Sequence, residues 1–276
     1  MLNNHWFSKV AGASIALLLF PSTAWGQVGV SPLSIETKAD RGQAQGIITV
    51  TNTSSKVSRV RIYAEPFTYN RDTGFQTLPS SPNNLTPYLQ FSPRELTILP
   101  GESRRVRLIG RLAPNLPEGE YRAVVFNETL NESKDGSGNN VTLVTRIGVT
   151  FYVRKGTQIA SLAVDGASFN TEQKQIQLLV HNTGKATARP NLIWTLLQGE
   201  TVVKTGVVDS TGIIAESDRN ILLNYPNKEQ PTLKPGTYEL RGELVWGEDN
   251  KTKLPFKINI TITAQNAAAS EVNSKK

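Results

Sequence analysis

Histidine is the residue most often used to move protons near neutral pH, and this chain of 276 residues has only two. His5 falls in an N-terminal segment that reads as an export signal. His181 ends a strand-like run beside Asn182-Thr183-Gly184 and reads as a turn or edge histidine, not a general base. Cysteine is absent, which excludes thiolate nucleophiles, disulfides and the common Cys/His zinc sets. No Gly-x-Ser-x-Gly elbow and no Gly-x-x-x-x-Gly-Lys phosphate loop occurs. The carboxylates Glu118 and Glu120, and Glu248 and Asp249, are close in sequence. Their Gly and Pro neighbours place them in solvated turns, not in an acid/base pair for glycoside hydrolysis. Asp135-Gly136-Ser137-Gly138-Asn139-Asn140 lacks the ordered ligand spacing and distal Glu of a calcium loop. A polar hairpin loop is expected there. No catalytic residue, metal site or cofactor is expected, and the chain is read as a binding protein and not as an enzyme.

Charge gives a second kind of chemistry. Thirty Lys/Arg against 23 Asp/Glu leave a net +7. Residues 27–155 hold 16 basic and 11 acidic residues, and residues 156–276 hold 13 and 12. The excess therefore sits in the first half. Arg104, Arg105, Arg107 and Arg111 cluster there, with Val106 and Leu108 alternating between them. In a strand, that spacing turns the apolar pair inward and the arginines outward. A solvated strand face is the first reading of these arginines and a binding patch the second; for the basic excess of the first half, an anionic surface or an acidic protein is the partner that fits, and nucleic acid does not suit an exported protein.

The elements that must carry these residues are strands. Ile48-Thr49-Val50-Thr51 ends at Asn52-Thr53-Ser54-Ser55, and Val60 to Ala64 alternates next. Thr97-Ile98-Leu99 meets the turn pair Pro100-Gly101, and Val106 to Ile109 resumes. Tyr121 to Phe126 is a further run, and Val141 to Val153 is the longest. Short alternating runs between Gly, Pro and Asn turns mark a β-sandwich. The second half repeats the first. Val50-Thr51-Asn52-Thr53 is matched by Val180-His181-Asn182-Thr183. Pro117-Glu118-Gly119-Glu120-Tyr121 is matched by Lys234-Pro235-Gly236-Thr237-Tyr238. The fold class predicted is all-β, with two tandem immunoglobulin-like sandwich domains.

Lys9, the apolar run Val10–Phe20 and the small residues Ala24 and Gly26 fit a secretory signal cleaved after Gly26. The run is too short to span a bilayer, and no later segment is apolar enough to enter a membrane. The expected layout is a signal over 1–26, a first domain over 27–155, a second over 156–265 and a disordered tail over 266–276.

Ser92-Pro93-Arg94-Glu95-Leu96-Thr97-Ile98-Leu99-Pro100-Gly101-Glu102-Ser103, followed by Arg105-Val106-Arg107-Leu108, resembles the middle of periplasmic pilus (fimbrial) assembly chaperones. Glu118 to Ala123 is similar to that family's next strand. Thr145 to Arg154 is similar to the strand that ends its first domain. The resemblance covers most of residues 28–155, and the second half follows by domain order. It implies a boomerang of two sandwiches in the periplasm. It also implies pilin-like subunits as partners, capped by β-strand addition, and an outer-membrane usher as a further partner.

Strand addition supplies backbone pairing, and alternate apolar side chains fill the client's groove. On this sequence the resemblance places Val141, Leu143, Thr145 and Ile147 in the donated strand, with Val149 closer to the domain's own core. Family members grip the client's terminal carboxylate with an Arg and a Lys. Glu36 and Gly148 stand at those positions here. Lys38 and Arg146, two residues away on the same strands, are the candidates to replace them. Loss of the carboxylate grip is the expectation, because Glu36 repels an anion and Gly148 has no side chain. The competing reading is a structural or adhesive surface protein built from the same sandwiches.

Overall fold

The computed structural model describes residues 28–134, 140–170, 174–209, 211–223 and 233–263. The expected signal, the tail and residues 135–139 of the polar loop lie outside them. The first sandwich contains β1 (Val28–Ser31), β2 (Ser34–Lys38), β3 (Gln43–Asn52), β4 (Ser58–Glu65), β5 (Phe67–Asn70), β6 (Gly74–Thr77), β7 (Leu89–Ser92), β8 (Glu95–Ile98), β9 (Ser103–Arg111), β10 (Gly119–Lys134) and β11 (Asn140–Lys155). One sheet has the order β1-β3-β9-β7 and the other β2-β11-β10-β4-β8. β5 and β6 form a separate hairpin. The inward residues of both sheets make one core, in which Ile48, Val50, Val106, Leu108, Val149 and Phe151 have no exposed surface. Arg105, Arg107 and Arg111 point outward from β9, as the alternation requires.

The second sandwich contains β12 (Leu162–Asn170), β13 (Gln175–Asn182), β14 (Asn191–Gln198), β15 (Thr201–Val208), β16 (Ser217–Leu222), β17 (Gly236–Trp246) and β18 (Thr252–Ile262). Its sheets run β12-β13-β16 and β15-β14-β17-β18. They enclose Trp194, Leu196, Ile176, Leu178 and Leu240.

The repeat in the sequence has a physical basis. Asn52 is fully buried; its Nδ2 donates to Lys56 O at 2.7 Å and Ile98 O at 2.9 Å, and its Oδ1 accepts from Ser54 N at 3.0 Å. Asn182 does the same in the second sandwich: Nδ2 donates to Ala186 O at 2.9 Å and Ile213 O at 3.1 Å, and Oδ1 accepts from Gly184 N at 3.0 Å. A buried amide that satisfies carbonyls of two segments fixes a strand end against a loop. Tyr121 Oη donates to Pro117 O at 2.9 Å, and Tyr238 Oη donates to Lys234 O at 2.8 Å. Each is a tyrosine corner, in which the ring packs in the core and the hydroxyl ties the incoming turn.

A seam joins the sandwiches. Phe67, Val124, Phe126 and Tyr152 of the first pack with Ile214 of the second. Polar contacts surround them: Arg189 Nη2 donates to Ser34 Oγ at 2.7 Å, and Asn220 Nδ2 donates to Asp72 Oδ1 at 3.2 Å.

Candidate functional site

β10 and β11 pair along their whole length, from Gly119 opposite Lys155 to Lys134 opposite Asn140. β4 covers β10 only between Val124 and Thr129. β2 covers the other edge of β11 only between Thr150 and Arg154. Hence β11 from Asn140 to Val149 has β10 on one side and, among the described residues, no strand on the other. An uncovered edge offers its amides and carbonyls to a further strand.

Side chains on this edge follow the period of two. Val149, Phe151 and Val153 point into the first core. Ile147 and Thr145, on the same face, are half-buried, and Leu143 leaves 57% of its surface open. Burial thus fades along one apolar face as the strand leaves the domain. Val144, on the opposite face, is 48% exposed. Val141 lies opposite Ser133 near the end of the hairpin.

At the foot of this edge lies a cleft of about 470 Å³, floored by Tyr69, Phe75, Val124 and Phe126 and flanked by Arg146 and Arg189. Arg146 donates from Nε to Glu128 Oε2 at 3.1 Å, with Nη2 at 3.0 Å from the same oxygen. Its guanidinium also lies 5.5 Å from the Phe126 ring centre. Glu128 in turn accepts from Tyr63 Oη at 3.0 Å. Burial, followed by the neighbouring Glu128 carboxylate, raises the Tyr63 pKa above its ordinary value.

Arg189 donates to Glu36 and sits 5.7 Å from the Tyr152 ring centre. Burial opposes the charge on Arg189, but the Glu36 carboxylate outweighs it and holds the pKa above the usual arginine value. Each arginine therefore has a carboxylate beside it.

The structure separates Lys38 from Arg146. β2 runs parallel to β11, and Lys38 stands opposite Arg154. Arg146 is eight residues back along β11, roughly 26 Å at ~3.3 Å per residue. The two cations cannot share one carboxylate. The cation beside Glu36 is instead Arg189, 153 residues further along the chain. Gly148 has its own reason: a Cβ there would stand 2.8 Å from Val124 Cγ2 and 3.2 Å from Phe126 Cε1. The Val124 and Phe126 side chains occupy the space that a side chain at 148 would need.

Two sequence expectations need correction. Glu120 is not in a solvated turn; it is 3% exposed at the seam. Thr187 donates to it from the backbone at 2.7 Å and from Oγ1 at 2.5 Å. Burial raises its pKa despite these bonds and the nearby Arg122. Arg122 is itself buried, which lowers its pKa, and its Nε and Nη1 find no hydrogen-bond partner among the described residues. His181 stands at the end of β13 beside the turn, as the sequence suggests, but not on a sheet edge: β13 is the middle strand of its sheet, and His181 Nδ1 contacts Asp218 Oδ1 of β16. Asp165 and Asp218 converge on His181, with one possible donor atom from each of the three within 4.8 Å of the others.

No family model matches the chain, and no curated protein does. Solved structures do match. The class 5 fimbriae chaperone CfaA aligns with 84% of this chain and 98% of its own length, at 17% identity and a TM-score of 0.49. A chaperone–tip adhesin complex of CFA/I fimbriae biogenesis aligns with 84% and 98%, at 16% identity and a TM-score of 0.47. The CsuC–CsuE chaperone–tip adhesion subunit pre-assembly complex from archaic chaperone-usher Csu pili of Acinetobacter baumannii aligns with 85% and 98%, at 15% identity and 0.43. The chain is similar to fimbrial chaperones. Among the described residues, no helix is long and apolar enough to cross a membrane.

Proposed function

We propose that this protein is a periplasmic chaperone that caps pilin-like subunits by adding the Asn140–Val149 edge of β11 to an incomplete sandwich. The observation that carries this reading is the uncovered edge, with Ile147 and exposed Leu143 alternating on the face that is core further along. A client lacking one strand has the complementary need, an open backbone ladder above an apolar groove. Leu143, Ile147 and Val141 are the side chains proposed to enter that groove, with Thr145 between them. An outer-membrane usher is a further partner on this reading.

The elbow cleft does not serve as a strong anchor for a terminal carboxylate. Arg146 and Arg189 each face a carboxylate already, Glu128 and Glu36. An incoming anion would meet two nearly neutral ion pairs. Affinity therefore rests on the strand and on the apolar cleft floor.

The test is co-expression with a pilin-type subunit that lacks the last strand of its sandwich, followed by gel filtration of the periplasmic fraction. A one-to-one complex, lost on Leu143→Glu, is the expected result. A complex that survives Leu143→Glu unchanged would place the contact elsewhere. Stable self-association with no capture would favour the structural surface protein.

A further inference from the structure

We infer a divalent-cation site of the zinc class on the outer face of the second sandwich, formed by Asp165, His181 and Asp218. These residues come from three adjacent strands, β12, β13 and β16. His181 and Asp218 are direct cross-strand partners. On β13, the alternate residues Ile176, Leu178 and Val180 fill the core, so His181 faces outward.

Asp165 reaches the same spot through an irregularity in β12. Val164 pairs with Val180 and Gly166 with Leu179, which leaves Asp165 as an extra residue in a β-bulge. A bulge re-aims a side chain that regular pairing would point elsewhere. One donor atom from each of the three residues lies within 4.8 Å of the other two.

Charge balance also points to a cation. Two carboxylates share this face, and besides His181 the one cation within 4.0 Å of either among the described residues is Arg71, 3.9 Å from Asp218. Asp165 has neither an ion pair nor a hydrogen bond among the described residues. A doubly charged ion between the three donors would offset that repulsion. One imidazole nitrogen suits zinc or its transition-metal neighbours better than calcium or magnesium, which prefer all-oxygen sets. Three protein ligands leave a position for water, as in open zinc sites. Tetrahedral coordination at ~2.1 Å sets donors about 3.4 Å apart. The widest separations in the observed cluster, up to 4.8 Å, must therefore shrink by up to about 1.4 Å, within reach of partly exposed side chains.

Such an ion would staple the first strand of the second sandwich to its two neighbours. It would also draw Asp218 away from Arg71, which belongs to the first sandwich. This inference uses none of the residues proposed to bind clients, so it stands or falls independently of that function.

The experiment uses the mature full chain, stripped of metal with a chelator and then titrated with zinc chloride. Isothermal titration calorimetry should show one site per chain with micromolar affinity. Thermal unfolding should move up by several degrees at saturating zinc, since a ligand that binds only the folded state stabilises it. His181→Ala and Asp165→Asn should each lower the affinity at least tenfold and remove most of the thermal shift. Asp165→Asn guards against a folding artefact, because the residue is exposed and unpaired. No binding at 100-fold excess zinc over protein would overturn the inference, as would undiminished binding by both variants.

Discussion

On the proposed function, replacing Leu143 should separate client capture from folding. In the free protein its side chain leaves 57% of its surface in water. Full burial of a leucine is worth about 1.5–3 kcal/mol, so covering the open fraction is worth roughly 0.9–1.7 kcal/mol. Leu143→Ala gives up most of that, and Kd for a pilin-type subunit should rise about fivefold. Leu143→Glu also forces a carboxylate into an apolar groove, which costs about 3 kcal/mol or more. Kd should then rise by more than about a hundredfold. Neither change should move the unfolding free energy by more than about 0.5 kcal/mol, because an exposed residue contributes little to the fold.

Val149→Ala is the control. It sits on the same face but is fully buried, so it should destabilise the first sandwich by about 1–3 kcal/mol. The assay is surface-immobilised protein titrated with a pilin-type subunit, alongside urea denaturation of each variant. If Leu143→Glu binds subunit as the wild type does, the strand-addition reasoning is refuted. Equal loss of stability in the Leu143 and Val149 variants would refute the burial gradient.

Arg146→Ala should weaken subunit binding by about 1 kcal/mol or less, since the side chain is 50% exposed and already paired with Glu128; an amidated subunit terminus should matter as little, and a loss of several kcal/mol from either would restore the carboxylate grip. Glu120→Gln should change the pH profile of stability. The folded-state pKa of Glu120 lies above its ordinary value of 4.5, so the folded state holds the proton more tightly and wild-type stability falls as pH rises through that interval. The variant should lack this decline, which urea denaturation from pH 4 to 8 would show; identical slopes would mean that Glu120 titrates normally. Asn52→Ala and Asn182→Ala should cost similar amounts, about 2–3 kcal/mol, because each leaves buried carbonyls without donors; calorimetry should show the loss in the first sandwich for one and in the second for the other.

The strands and the repeat were legible in the sequence because local physics writes them there. Alternation of Val, Ile and Thr with polar residues announces a half-buried strand wherever it occurs. Asn52 with Asn182, and Tyr121 with Tyr238, repeat because each closes a bond to a residue four positions away. The long run from Val141 showed a strand that continues past its domain, and the outward Arg105 and Arg107 followed from parity alone.

Partners brought together by folding were not legible. Glu36 reads as a lone repulsive charge until Arg189, from the other sandwich, is seen beside it. Glu120 looks solvated between Pro117 and Tyr121 until the second sandwich buries it against Thr187. Lys38 and Arg146 look equally suited to one anion, but the register of a parallel pair decides their separation. His181 gained two carboxylate neighbours through a cross-strand pairing and a bulge that no spacing announces. Sequence thus fixes which way a side chain faces, since that depends on its own strand's period. Which group it faces depends on register and domain docking, which are set by the summed packing of distant segments.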